Sequence, residues 1–159
     1  MYNRLVLPLV AASALAFACG PRAHSAVEQP TPSAKQAESA STATDSAGTI
    51  AANLAVDVGA QVELILEVAN ASDRRIELHF PNGQTHDLAV LDAAGREVWR
   101  WSKGRLFTSA DQSRLVGTGE VVSFSGRMKQ ALPAGSYTAV ATLASSNHPV
   151  EVRRGFELR

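Results

Sequence analysis

The sequence has almost no cysteine: Cys19 is the single one among 159 residues. A secreted fold stapled by disulfides needs several cysteines, so that class of protein is excluded. The folded part must instead be stabilised by burying apolar surface. A domain of roughly 110 residues can do this, because it hides about 60–70% of the surface of its unfolded chain.

An excess of charge of either sign is also missing. Lys plus Arg and Asp plus Glu both number 15, and the basic residues are scattered among the acidic ones. A nucleic-acid-binding domain usually presents a basic face, because phosphate contacts supply most of its affinity. We therefore predict no nucleic-acid partner.

Long apolar runs are absent except at the N-terminus. The run at residues 5–18 follows Arg4 and is shorter than the roughly 20 residues that a membrane-spanning helix needs. A charged start, a short apolar stretch and small residues before a cleavage point are typical of a signal peptide. We therefore predict a signal peptide over residues 1–18; the alternative is a short anchor that is not cleaved.

Cys19 directly follows this run. Residues 15–19 read Leu-Ala-Phe-Ala-Cys and resemble the lipobox of bacterial lipoproteins, whose cysteine thiol is the nucleophile that accepts the diacylglyceryl group. The stretch 16–18 also fits the A-x-A site of ordinary signal peptidase. We predict lipidation of Cys19, which places the protein in the cell envelope as an exported, membrane-anchored lipoprotein. Two or more acyl chains hold a protein firmly on a membrane.

The segment that follows has almost no large apolar residue. Residues 19–48 consist mainly of Ala, Ser, Thr, Pro and Gln, with Val27 as the only large apolar side chain before Thr49. Such a composition cannot offset the entropy lost on ordering. We therefore predict a flexible linker over 19–48 and a folded domain over 49–159.

The domain shows apolar residues that alternate with polar ones. Val62, Leu64, Leu66 and Val68 point to one face of a predicted strand. Further strands are predicted over 76–80, 87–91, 97–101, 120–124, 137–143 and 149–158, separated by turn residues such as Asn, Gly and Pro. Seven or eight short strands without a helical stretch predict an all-β, antiparallel, immunoglobulin-like sandwich. A closed barrel is the alternative.

No arrangement of residues predicts catalysis. His86 and Asp87 are adjacent, but neighbouring residues on a strand point to opposite faces and cannot orient each other. A metal site formed by His79 and His86 would use two lone ligands on separate strands, which is a weak pattern. No Gly-rich phosphate loop is present either. We therefore predict a protein that is not an enzyme and that uses no cofactor and no metal.

Both tryptophans lie in the segment 97–104. Alternation places Trp99 and Trp101 on one face and Val98 with Arg100 on the other. The two indoles either fill the core of the sandwich or form an exposed aromatic hot spot for a partner. The core is the alternative that we favour, because large aromatic side chains are mostly buried.

A set of residues distributed over about residues 52–144 resembles the bacterial intracellular proteinase inhibitor (BsuPI) family. In the family's order these are Asn70, Phe80, Gly83-Gln84, Asp87, Trp99-Arg100-Trp101-Ser102, Phe107, Gly119-Glu120 and Tyr137. The Trp-Arg-Trp-Ser block together with the upstream Gly-Gln-x-x-Asp is the most specific part. His86 differs from the pattern, because the family usually has tyrosine there.

The resemblance implies a sandwich whose partner is another protein, and inhibition of a proteinase as its activity. Combined with the export signal, it implies an extracytoplasmic serine proteinase as the target. The rival hypothesis is an envelope scaffold or interaction module without inhibitory activity. An accessory domain of an enzyme is a third hypothesis, which the sequence does not separate from the second.

Two loops have the composition of a proteinase-binding loop. The first contains Asn82, Gly83 and Gln84, and the second contains Lys103, Gly104 and Arg105. Stiff loops bind better because less entropy is lost on binding, and the second loop offers basic side chains to a trypsin-like pocket. The alternative for both is an ordinary connection between strands.

Overall fold

Ten β-strands and no helix form the part of the chain that the computed structural model describes, residues 41–45 and 47–159. No helix in this part is long and apolar enough to cross a membrane. The predicted signal peptide, Cys19 and most of the predicted linker lie outside the described residues. The strands are β1 (Ser41–Thr44), β2 (Ile50–Val58), β3 (Val62–Asn70), β4 (Ile76–Phe80), β5 (His86–Asp92), β6 (Glu97–Arg100), β7 (Gln112–Val116), β8 (Val121–Met128), β9 (Gly135–Leu143) and β10 (Val150–Leu158).

The strands form two four-stranded antiparallel sheets and a two-stranded ribbon. One sheet has the order β1-β2-β3-β8, the other the order β10-β9-β5-β6, and β4 pairs with β7. The predicted all-β class and antiparallel sandwich are thereby confirmed, with ten strands in place of seven or eight. The immunoglobulin-like variant of the sandwich stays a prediction.

The core consists of the apolar residues that alternate along the strands. In β3 every second side chain from Val62 to Val68 is buried, and β4 buries Ile76, Leu78 and Phe80 in the same way. Alternation thus predicted the inward faces correctly. Fully burying a leucine or valine side chain contributes about 1.5–3 kcal/mol, so the core can hold the fold together without a disulfide.

A strand precedes the predicted domain boundary at residue 49. β1 pairs with β2 from Ser41, opposite Leu54, to Thr44, opposite Ala51. These four residues lie within the predicted linker. Their sequence, Ser-Thr-Ala-Thr, has no large apolar residue, so its place in the sheet depends on pairing with β2 and could not be recognised from hydrophobicity.

Asp45 fastens the end of β1 to the rest of the domain. Its Oδ1 accepts hydrogen bonds from the backbone N–H groups of Thr49 (2.6 Å) and Ile50 (2.9 Å), and its Oδ2 lies 2.7 Å from Nδ1 of His148. Burial by itself would raise the pKa of Asp45, but the hydrogen bonds from Ile50, His148 and Thr49 outweigh it, and the pKa is lowered. This carboxylate therefore ties β1 to the connection between β9 and β10.

Candidate functional site

The chain leaves strand β6 through an irregularity that positions both tryptophans. In the pairing with β5, Arg100 lies opposite Ala89 and Trp99 opposite Val90, whereas Glu97 lies opposite Leu91, so the register skips Val98. Such a bulge re-aims the side chains that follow it. Trp99 and Trp101 are both half-buried and pack against the core, which is the first of the two alternatives that the sequence left open.

Trp101 is surrounded by residues from three other segments. Its ring centroid lies 4.1 Å from that of His86 and 5.8 Å from that of Phe107. A Cβ on Gly126 would lie only 2.6 Å from Cδ1 of Trp101, so this position in β8 has to be glycine for the indole to fit. Sequence reasoning missed Gly126, because a single glycine in a strand does not reveal which side chain approaches it.

Asp87 holds the turn that follows Trp101. Its Oδ2 accepts hydrogen bonds from the Arg100 guanidinium and from the hydroxyl of Ser102 (2.9 Å), and its Oδ1 accepts one from the Ser102 backbone N–H (3.2 Å). Arg100 also donates to Glu97 (2.8 Å). The carboxylates of Glu97 and Asp87 raise the pKa of the Arg100 guanidinium. The Trp-Arg-Trp-Ser block and the upstream aspartate therefore form one structural unit.

His86 lies on the inner side of this unit. It is 7% exposed, and its ring contacts those of Trp101 and Phe124, while Nε2 has no hydrogen-bond partner. Burial lowers the pKa of His86, against the raising effect of Asp87 and with a further lowering effect of Arg105. As predicted, His86 and Asp87 face different partners, so they do not form a catalytic pair.

The second candidate loop contains a turn that is closed by hydrogen bonds. Gly104 has a left-handed backbone (φ 77°), the N–H of Arg105 donates to the Ser102 carbonyl (3.1 Å), and Nε of Arg105 donates to the Trp101 carbonyl (2.8 Å). The Arg105 guanidinium also lies over the Trp101 ring, 4.3 Å from its centroid. The next side chain, Leu106, is 100% exposed.

The first candidate loop lies directly beside the second. The N–H of Gly83 donates to the carbonyl of Thr108 (2.9 Å), and a Cβ on Gly83 would lie 2.7 Å from Oγ1 of Thr108. Asn82 closes its own loop by accepting the N–H of Gln84 (2.7 Å). We call residues 82–84 and 102–108 together the paired-loop surface. The sequence predicted both loops but not their contact, which depends on how distant segments are packed.

The remaining residues of the family pattern stabilise turns and the core. The buried amide of Asn70 donates to the carbonyls of Arg74, Val116 and Gly117. Tyr137 donates to the Pro133 carbonyl (2.9 Å) and stacks on Phe156, while Phe80 is buried in the core.

No metal-binding arrangement is present in residues 41–45 and 47–159: no three His, Cys, Asp or Glu side chains there are placed to hold an ion. His79 is exposed on β4, 3.8 Å from Glu77, whereas His86 is buried beside Trp101.

Fold and site together define a small antiparallel β-sandwich that presents a braced, exposed loop. The sequence matches the model of the BsuPI family, described as intracellular proteinase inhibitor, over residues 50–148. Because this match covers more than half of the chain, the chain belongs to the BsuPI family, and the resemblance seen in the sequence is confirmed. The family implies a proteinase as the protein partner. No curated protein matches the sequence.

Proposed function

We propose that this protein is a non-catalytic inhibitor of an extracytoplasmic serine proteinase, held in the cell envelope by a lipid on Cys19. The observation that carries the proposal is the loop 102–108 in a chain of the BsuPI family: its backbone is fixed at Ser102 and Thr108, while Leu106 between them is fully exposed. The paired-loop surface is the part of the molecule that contacts the proteinase.

Rigidity is what distinguishes an inhibitor loop from a substrate loop. A flexible loop loses conformational entropy when it binds, and a loop already fixed in its bound shape does not. Here Asp87 holds the start of the loop, Arg105 braces its turn against Trp101, and Gly83 holds its end at Thr108. Because these contacts fix the loop before it binds, they support tight binding, slow release from the proteinase and slow cleavage of the loop.

The envelope location rests on the N-terminal sequence. The apolar run at 5–18 ends at the single cysteine, and the residues between Cys19 and β1 supply a linker that separates the domain from a membrane surface. A proteinase outside the cytoplasm is the target that such a location makes accessible.

The inhibition assay uses the lipid-free mature chain, residues 19–159 with Cys19→Ser. Serine proteinases of trypsin-like, chymotrypsin-like and subtilisin-like specificity are titrated with micromolar protein, and residual activity is measured with small chromogenic substrates. We expect stoichiometric loss of activity for at least one enzyme. Undiminished activity of all of them, or cleavage of the chain as fast as an ordinary substrate, would contradict inhibition and favour the interaction-module hypothesis.

A further inference from the structure

We propose that Leu106 is the side chain that enters the specificity pocket of the proteinase, and that Arg105 is a positioning residue which holds the loop. This inference rests on the proposed function and deepens it. The target is then a proteinase with an apolar pocket, which cleaves after large apolar residues, and not a trypsin-like enzyme.

Arg105 is turned toward the body of the domain. Its guanidinium lies 4.3 Å from the centre of the Trp101 ring, and its Nε donates to the Trp101 carbonyl at 2.8 Å. Both contacts would have to break before the side chain could extend into a deep acidic pocket. A cation is attracted to the negative face of an indole ring, and the hydrogen bond adds to this attraction.

Lys103 lies within a closed turn. The N–H of Arg105 donates to the carbonyl of Ser102 across it, and Gly104 in the same turn has a left-handed backbone. A peptide segment recognised by strand addition has an extended main chain with alternating side chains. A closed turn differs from this shape, whereas residues 106–108, which follow it, belong to no turn, helix or strand.

Leu106 is the fully exposed apolar side chain of the loop. It is 100% exposed. Its neighbour Phe107 is half-buried against Trp101, and its other neighbour, Arg105, lies over the Trp101 ring. A single exposed leucine is ordinary on a protein surface. Here, however, both neighbours are anchored on Trp101, so Leu106 protrudes from a fixed base. A fully exposed leucine also gains the most apolar burial when a pocket encloses it.

The test compares variants of the lipid-free mature chain against one proteinase that prefers large apolar residues and one trypsin-like proteinase. We expect the unmodified loop to inhibit the first enzyme, and Leu106→Ala to weaken that inhibition by about 10- to 100-fold. Leu106→Lys should transfer inhibition to the trypsin-like enzyme. The matched control is Leu115→Ala on β7, an exposed leucine (59%) outside the paired-loop surface, which should change neither inhibition constant.

The positioning role of Arg105 is tested separately, by the rate at which the proteinase cleaves the loop and by the melting temperature. Arg105→Ala should turn the inhibitor into a substrate that is cleaved after Leu106, while the melting temperature falls by no more than a few degrees. Arg105→Lys should restore resistance, because it keeps a cation over the indole. A merely structural residue would change the melting temperature and not the cleavage rate.

Two results would overturn the proposals, and they are distinguishable. Inhibition confined to the trypsin-like enzyme, lost in Arg105→Ala or Lys103→Ala and kept in Leu106→Ala, would contradict the role of Leu106 while leaving inhibition itself intact. Failure to inhibit any serine proteinase would contradict the proposed function.

Discussion

Asp87 accepts most of the hydrogen bonds that hold the start of the loop 102–108. Its carboxylate is 14% exposed and accepts hydrogen bonds from Arg100, from Ser102 and from the Leu88 N–H. Asp87→Ala removes the acceptor of these part-buried donors, so we expect the free energy of unfolding to fall by about 1–3 kcal/mol, as measured by urea denaturation.

The matched control for Asp87 is Glu151→Ala. Glu151 forms an exposed ion pair with Arg153, in which both side chains are about half exposed. Such pairs contribute little, so the change should stay within about 0.5 kcal/mol. Equal changes in the free energy of unfolding for the two substitutions would show that the Asp87 contacts do not stabilise the start of the loop 102–108.

His86 gives the domain a pH dependence whose sign follows from burial. Because its pKa lies below the ordinary value of 6.5 in the folded state, the unfolded state binds the proton more readily. Stability from this residue is therefore full above about pH 6.5 and falls as the pH decreases toward the folded-state pKa. His86→Phe removes the titrating group and keeps an aromatic ring between Trp101 and Phe124.

We expect the free energy of unfolding of His86→Phe to fall less steeply between pH 7.5 and pH 5 than that of the unmodified chain. Urea titrations at several pH values measure both slopes. Identical slopes in two well-folded proteins would contradict a buried, neutral His86.

At the scale of the strands, Gly126 in β8 makes room for the Trp101 indole. A Cβ there would come within 2.7 Å of Cδ1 of Leu88 as well as 2.6 Å of Trp101. Gly126→Ala should therefore cost about 1–3 kcal/mol by overpacking and should shift the Trp101 fluorescence. Gly155→Ala in β10 is the control, because a Cβ there would meet only the Tyr137 carbonyl at 4.0 Å. A harmless Gly126→Ala would contradict the close approach of the two elements.

Most strands that were predicted from the sequence have a buried, alternating face, but β2, which also has one, was not among them. β3 and β4 were predicted because Val, Leu, Ile and Phe occupy every second position. β7 was missed because four of its five residues are exposed and only Val116 is buried. β1 was missed because its small residues are held by pairing with β2, and pairing depends on the partner strand.

The parts of the site that could be predicted are those with a local sequence pattern. The two loops were found from their glycine, asparagine and proline residues. The contact of Gly83 with Thr108 and the stacking of Arg105 on Trp101 depend on tertiary packing, for which one sequence gives no pattern. For this reason the sequence favoured basic side chains as anchors, whereas the side chain proposed above is Leu106.

At the scale of the whole molecule, the lipid anchor is a prediction that rests on Cys19. The unmodified protein should fractionate with membranes and carry acyl mass, since two or more chains hold a protein firmly. Cys19→Ser should release the mature protein into the soluble fraction or stop its processing. An unmodified protein that is soluble and has no acyl mass would contradict the anchor, while leaving the inhibition assay unaffected.

The central claim is that the paired-loop surface contacts the proteinase. Amide hydrogen exchange, measured by mass spectrometry on the lipid-free mature chain alone and with an inhibited serine proteinase, tests it most directly. We expect slower exchange confined to residues 82–84 and 102–108 in the complex. Protection on the strands β9 and β10 instead, or unchanged exchange throughout the paired-loop surface, would contradict it.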